Sequence, residues 1–371
     1  MNHTRTVVRM ASVLLATTIG AGAFAIPYVV AEAGWALVAG YLLLLGLVLY
    51  AAHVLYAETL EATGEEHRLV GLVRRYGGEH FFLIACVAVL GGLLMTLFAY
   101  LLLTTHFLHI LFPSFGEFTL LLSTWFLLSF PLLFGIRRFV QFEFLGTALM
   151  VSAIAAVFFG APDLGGFLRT PAFNSLQFFF PFGPLLFALA AWTAVEPMYE
   201  YAKREGNAVS LVKRALAWGT GASIVLYALF AIGILGTVSY VTPDVISGFT
   251  SAHPSTLVLL CIFGILAVWT SYVPVAREVQ KMLEDDLRMQ PHFALAVPLL
   301  LPLAFAAAGA GTFFEAVSFA GGVLLSLEYL FILFVARRAL SRSQFSPPAF
   351  FLLSAVFAGG ALYELVRFVL Q

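Results

Sequence analysis

The run LLATTIGAGAFAIPYVV, Leu14 to Val30, is apolar and long enough to cross a membrane, yet it carries Gly20 and Gly22 near its middle and Pro27 five residues later. Glycine inside a helix costs about 1 kcal/mol relative to alanine, and proline about 3 kcal/mol. A plain anchor has no use for either. Backbone at lipid depth must be hydrogen-bonded, so an interruption persists there only where it is buried in protein or lines a cavity. The run therefore predicts a discontinuous first helix whose freed N–H and C=O groups meet a ligand. The amino end of its second half would draw an anionic group such as a carboxylate. The same GxG spacing also occurs where small residues let two membrane helices pack closely.

Composition places this run in a membrane protein. Of the 371 residues, 61% are hydrophobic and 11% charged, less than half the charge of an average soluble domain, about 25%. The mean hydropathy is +0.98. A net charge of −1 gives nucleic acid no basic surface to bind. Cys86 and Cys261 both lie in apolar runs, and neither a disulfide framework nor a zinc spacing is present. The first segment follows Arg5 and Arg9 as a signal peptide would, but it exceeds an h-region and more spans follow, so it reads as a retained helix.

Runs of about 20 apolar residues suit a hydrocarbon core about 30 Å thick. Eleven are predicted, at roughly 7–31, 35–57, 81–106, 118–136, 142–160, 178–201, 211–235, 254–277, 293–309, 315–336 and 348–370. With the N-terminus in the cytoplasm, only Arg169 and Arg367 of the 19 lysines and arginines fall outside, as the positive-inside rule requires. The C-terminus is then outside. The longest loops, Glu61 to Gly78 and Ala161 to Gln177, are too short to bury a core of their own, so function must reside in the bundle.

The sixth run pairs with the first. Small residues Ala188, Ala190 and Ala191 stand beside Trp192 and Thr193, ahead of Glu196 and Pro197. Interrupted segments at matching positions of two halves mark inverted-repeat transporters. Spans 1 and 6 match in a five-plus-five arrangement, although the break in span 6 is much less clear from sequence than that in span 1.

TTIGAGAFAIPYVVAEAGW (Thr17 to Trp35) resembles the first-helix signature of the amino acid/auxin permease family, within the amino acid-polyamine-organocation superfamily. GGLLMTLFAYLLLTTHFL (Gly91 to Leu108) resembles its third helix and FALAAWTAVEPMYEYAK (Phe187 to Lys203) its sixth. The bacterial aromatic amino acid permeases are a related branch. The resemblance implies an all-α polytopic protein of the leucine-transporter type, with discontinuous helices 1 and 6. Its first repeat covers about 7–160, its second about 178–336, and an extra helix 348–370, all within one domain. It further implies cation-coupled secondary transport of amino acids by alternating access. The substrate carboxylate would meet Ile19, Gly20, Ala21 and Gly22, while Ala190, Ala191 and Trp192 shape the side-chain pocket. A sodium ion would be held by carbonyls of Ala16, Ile19 and Ala267 with the hydroxyls of Thr270 and Ser271. Ala191 stands where family members often have glycine, and Ala16 where some sodium-coupled members have asparagine.

Ionisable residues inside spans are functional candidates. Glu328 precedes Arg337 by nine residues, about 13 Å at 1.5 Å per residue, which puts it near mid-membrane. It is the candidate for proton coupling, with a structural pairing as the other reading. Glu196 and Glu200 share a helix face, and together with Arg277 they are gating candidates. His53, His106 and His109 read as structural. Thr270 and Ser271 could instead bond back to their own helix. A channel and an intramembrane enzyme are the rival classes. No HExxH, GxSxG or P-loop is present, so no catalytic residues are assigned and no cofactor beyond the ion is expected. The expected protein is a monomeric permease of the inner or plasma membrane, with an amino acid, a sodium ion or proton, and lipid as its partners.

Overall fold

The computed structural model describes residues 3–64, 68–133, 140–204, 206–238, 240–243, 254–341 and 345–370. Arg137, Arg138 and Arg342 of the charge count lie outside them. No strand occurs among the described residues.

The first predicted run is two helices. α1 (His3–Thr18) ends before Ile19 and Gly20, a 3₁₀ turn occupies Ala21–Ala25, and α2 (Ile26–Ala33) follows. The halves meet at 54°. Pro27 lies in the first turn of α2, where its missing N–H removes no helix bond, so it starts the second half instead of breaking a continuous helix. Gly34 (φ 101°) then turns the chain into α3 (Trp35–Thr63). A Cβ on Gly34 would lie 2.7 Å from the carbonyls of Pro171 and Ala172, so that loop packs where only glycine leaves room.

A short helix α4 (Leu69–Gly77) precedes α5 (Glu79–Leu111), then α6 (Glu117–Leu133) and α7 (Val140–Gly160). The sixth run is broken: α8 (Phe182–Leu189) and α9 (Trp192–Lys203) are separated at Ala190 and Ala191. The chain continues through α10 (Ala208–Leu235), α11 (Pro254–Asp285) and α12 (Pro291–Ala307). α13 (Phe313–Phe319) starts at a capping box of Thr312 and Glu315 and runs through a π-helical segment, Ala320–Leu325, into α14 (Ser326–Ala339). α15 (Pro347–Leu370) is last.

Each of the eleven predicted runs coincides with a helix or a broken helix. Six helical stretches are long and apolar enough to cross a membrane by themselves, seven with the bent first pair. α6 and α12, at 17 residues each, extend only about 26 Å, and α8 and α9 are each a half-span. α5 lies centrally, against α4, α6, α11, α12, α13 and α14. α1 packs on α7, α9 and α10, and the 3₁₀ turn of the first span packs on α8. The two breaks are therefore brought face to face.

Candidate functional site

The site begins at the first break. Ile19 N–H bonds back to the Leu15 carbonyl (2.8 Å), and the next turn opens with Ala23 N–H on the Gly20 carbonyl (3.1 Å). The amides of Gly20, Ala21 and Gly22 precede that bond, so they stand as the leading N–H groups of the second half-helix. A Cβ on Gly22 would lie 2.8 Å from the Ala188 Cα, which sets how closely the two broken spans approach. A Cβ on Gly20 would meet only Ser271 Oγ (3.3 Å) and the Tyr100 hydroxyl (3.6 Å).

Tyr227 of α10 joins the breaks. Its hydroxyl lies 2.5 Å from the Thr18 carbonyl and 2.7 Å from the Ala188 carbonyl, and its single proton serves one of them at a time. The Thr18 hydroxyl also pairs with Ser223 of α10 at 2.8 Å. Carbonyls released where α1 and α8 end thus share one donor inside the protein.

The second break is held from α14. Ala191 N–H donates to the Tyr329 hydroxyl (3.3 Å), which lies 2.7 Å from His53 Nε2. The Tyr329 oxygen can accept a second bond, so the tautomer of His53 sets which of the two donates. Through Tyr329, His53 reaches the break and does not merely pack near the end of α3. The adjacent Glu328 accepts from Trp192 Nε1 through Oε2 at 2.5 Å. Two consecutive residues of α14 therefore anchor the first residues of α9.

Between the breaks is a cavity of about 80 Å³, enough for a handful of waters at about 10–15 Å³ each. Gly20, Ala21, Gly22, Ala190, Ala191, Trp192 and Glu328 all line it. Ile19 is buried beside it. Gly92, Thr96 and Tyr100 of α5 complete the wall. The sequence reading did not single these out, although the Gly91–Gly92 pair in a third apolar run was the available signal. Glu328 is 1% exposed, and its Oε1 is buried without a hydrogen-bond partner.

The other expectations fare differently. The hydroxyls of Thr270 and Ser271 both donate to the Ala267 carbonyl, at 2.9 and 3.1 Å. Ser271 comes beside Gly20, whereas Ala16 is half-buried on α1, whose neighbours are α7, α9 and α10. Of the gating candidates, Glu196 accepts a hydrogen bond from the Tyr56 hydroxyl, and the Arg68 charge is near enough to act on it. Glu200 is exposed. Arg277 forms no ion pair among the described residues; Glu278, one position on, pairs with Arg68 at 2.7 Å. Side chains a residue apart on a helix point about 100° away from each other, so Arg277 faces elsewhere. Arg68 lies in a loop with no periodicity to betray its partner. Tyr28, Phe180 and Phe314 form an aromatic cluster with ring centroids 5.1–6.1 Å apart.

The geometry sits beside three comparisons. Residues 3–358 match the tryptophan/tyrosine permease family. No curated protein matches the sequence. Among solved structures, MhsT in complex with L-phenylalanine is similar with a TM-score of 0.71 at 14% identity, over 97% of each chain. The Eremococcus coleocola manganese transporter bound to an aromatic bis-isothiourea substituted compound is similar with a TM-score of 0.67 at 12% identity, over 97% of this chain and 87% of that one. A histidine-to-alanine mutant of the same transporter gives 0.66 at 12% identity, over 96% and 85%. At these identities the likeness concerns the fold, which is of the leucine-transporter type.

Proposed function

The chain belongs to the tryptophan/tyrosine permease family, and from that premise we propose that it is a cation-coupled secondary transporter of aromatic amino acids working by alternating access. The observation that carries this reading is the cavity walled on one side by the leading amides of a half-helix. Such amides attract a carboxylate, and the opposite wall is apolar and aromatic. MhsT, with the same fold, was solved with L-phenylalanine. We read the likeness of residues 17–35 to the amino acid/auxin permeases as kinship through this shared half-helix.

An aromatic amino acid needs more room than about 80 Å³, so loading requires the half-helices and Phe187 to move apart. The rest of the scheme is part of the same proposal. The two halves, about 7–160 and 178–336, act as inverted repeats, with 348–370 outside them. The N-terminus is cytoplasmic and the C-terminus external, in the inner or plasma membrane. One chain encloses the cavity, so the monomer is the working unit. Neither an enzyme nor a channel is favoured by any observation at this site.

For the coupling ion, the unpartnered Oε1 of Glu328 favours a proton. The sodium alternative remains compatible with the hydroxyls of Thr270 and Ser271, whose oxygens keep their lone pairs while donating to the Ala267 carbonyl. Uptake of labelled tryptophan, tyrosine and phenylalanine into proteoliposomes tests both parts. Accumulation under a pH gradient alone is the expected result. Accumulation under a sodium gradient alone would move coupling to Thr270 and Ser271. No accumulation of any aromatic amino acid under either gradient would reject the substrate class.

A further inference from the structure

Arg367 of α15 stands between two partners. Its guanidinium carbon lies 4.8 Å from the centre of the Phe180 ring. Its Nη1 lies 3.6 Å from Oε2 of Glu364, three residues back on the same helix, just beyond the reach of a hydrogen bond. Nη1 and the other Glu364 oxygen, Oε1, are both buried with no hydrogen-bond partner among the described residues. Leaving a buried polar group unmet costs free energy, most of all for a charged one. A donor and an acceptor unmet in the same ion pair mark a contact that a small movement completes.

The contact with Phe180 holds the guanidinium back from that movement. The Phe180 ring stacks on Phe314 of α13, with centroids 5.3 Å apart, and lies 6.1 Å from Tyr28 of α2. Phe180 stands two residues ahead of α8, and Phe187 near the far end of α8 lines the cavity. Tyr28 follows the first break on α2. The aromatic cluster therefore ties together the two half-helices that lead away from the cavity on one side. α15 packs on the start of the same half-helix. A Cβ on Gly360 would land on the Phe182 ring, and Glu364 occupies the room that Gly183 and Gly322 leave. When α8 moves to admit a ligand it carries Phe180 with it, and Arg367 loses its ring.

We propose that Arg367 and Glu364 form a two-position latch on this side of the cavity, which gives the last helix a part in the transport cycle. With the cavity closed, the guanidinium holds the Phe180 ring. With α8 withdrawn, it drops onto Glu364 as a hydrogen-bonded ion pair. The latch rests on the transporter reading, in which α8 moves. A cation over a desolvated ring and a charge-assisted hydrogen bond are of comparable strength. Exchanging one for the other leaves two states close in energy, and a ligand can then shift the balance between them.

The test reads access to the cavity without a substrate, so it does not depend on which amino acid is carried. Ala190→Cys places a thiol in the cavity wall, in a background with Cys86 and Cys261 replaced by serine. Its reaction with an impermeant methanethiosulfonate is timed from the side of the membrane on which the Arg367 end of α15 lies, the outer one in the proposed orientation. Glu364→Gln weakens the open-state contact and should slow labelling at least threefold. Phe180→Leu removes the closed-state contact and should speed it at least threefold. In an Arg367→Gln background, Glu364→Gln should change the rate less than 1.5-fold. Aromatic packing alone would reproduce the Phe180→Leu result without any slowing by Glu364→Gln. A Glu364 that merely fills space beside Gly322 would act equally with and without Arg367. Either of those outcomes overturns the latch, as does a Phe180→Leu chain that labels no faster or a thiol that no variant exposes. Opposite shifts in a protein that accumulates no aromatic amino acid would reject the substrate reading and leave the latch standing.

Discussion

Gly20 and Gly22 look interchangeable in sequence, but their surroundings differ. Gly22 faces backbone, the Ala188 Cα at 2.8 Å from a built Cβ, whereas Gly20 faces the movable Ser271 hydroxyl at 3.3 Å. Overpacking against backbone costs about 1–3 kcal/mol, and here the cost falls on the approach of the two breaks. Gly22→Ala is therefore expected to weaken tryptophan binding tenfold or more, and Gly20→Ala less than threefold. Binding isotherms of the two purified variants decide it, and equal losses would mean that the contact with Ala188 does not set the geometry. The spacing made both glycines visible, but which of them touches another helix was not legible, because that depends on a residue 166 positions away. Glu328 was legible as an ionisable residue at depth. Its unused oxygen was not, since the partner of the other oxygen, Trp192, comes from another helix.

Among the elements, the broken spans and the ion pair beneath them behave as one unit. Arg68, just ahead of α4, pairs with Glu278 of α11 with side-chain exposures of 23% and 29%. A pair this accessible is worth about 1 kcal/mol at most to the fold, so its consequence lies in the balance between conformations. Arg68→Glu places two carboxylates together and is expected to cut uptake at least fivefold. The double exchange with Glu278→Arg should return uptake to within twofold of wild type. A double variant no better than the single would remove this pair from the gate. The first break was readable because glycine and proline leave a compositional mark. The second, at Ala190 and Ala191, is built from residues that favour helix, and tertiary contacts such as the Tyr329 hydroxyl on Ala191 N–H hold it open.

At the scale of the molecule, hydropathy and charge bias predict the same eleven-segment chain, and the bias alone predicts its orientation. A single cysteine at either terminus, in a background with Cys86 and Cys261 replaced by serine, should react with an impermeant maleimide from the cytoplasmic side only at the N-terminus and from the outer side only at the C-terminus. Labelling of both termini from one side would require an even number of spans. α12, at 17 residues, does not reach the length of a free-standing span. Burial against α5 and α11 makes up for that shortfall.

Local chemistry by itself determined the membrane class, the run count and the first break. These follow from transfer free energy and helix propensity, which act within a few turns of chain. Tertiary structure alone decided the second break, the Arg68–Glu278 pair in place of Arg277, the Tyr227 link between breaks and the free oxygen of Glu328. Each of these is a hydrogen bond, ion pair or unmet acceptor between side chains or backbone distant in sequence. Its presence depends on how the helices pack, and no periodicity along the chain records that.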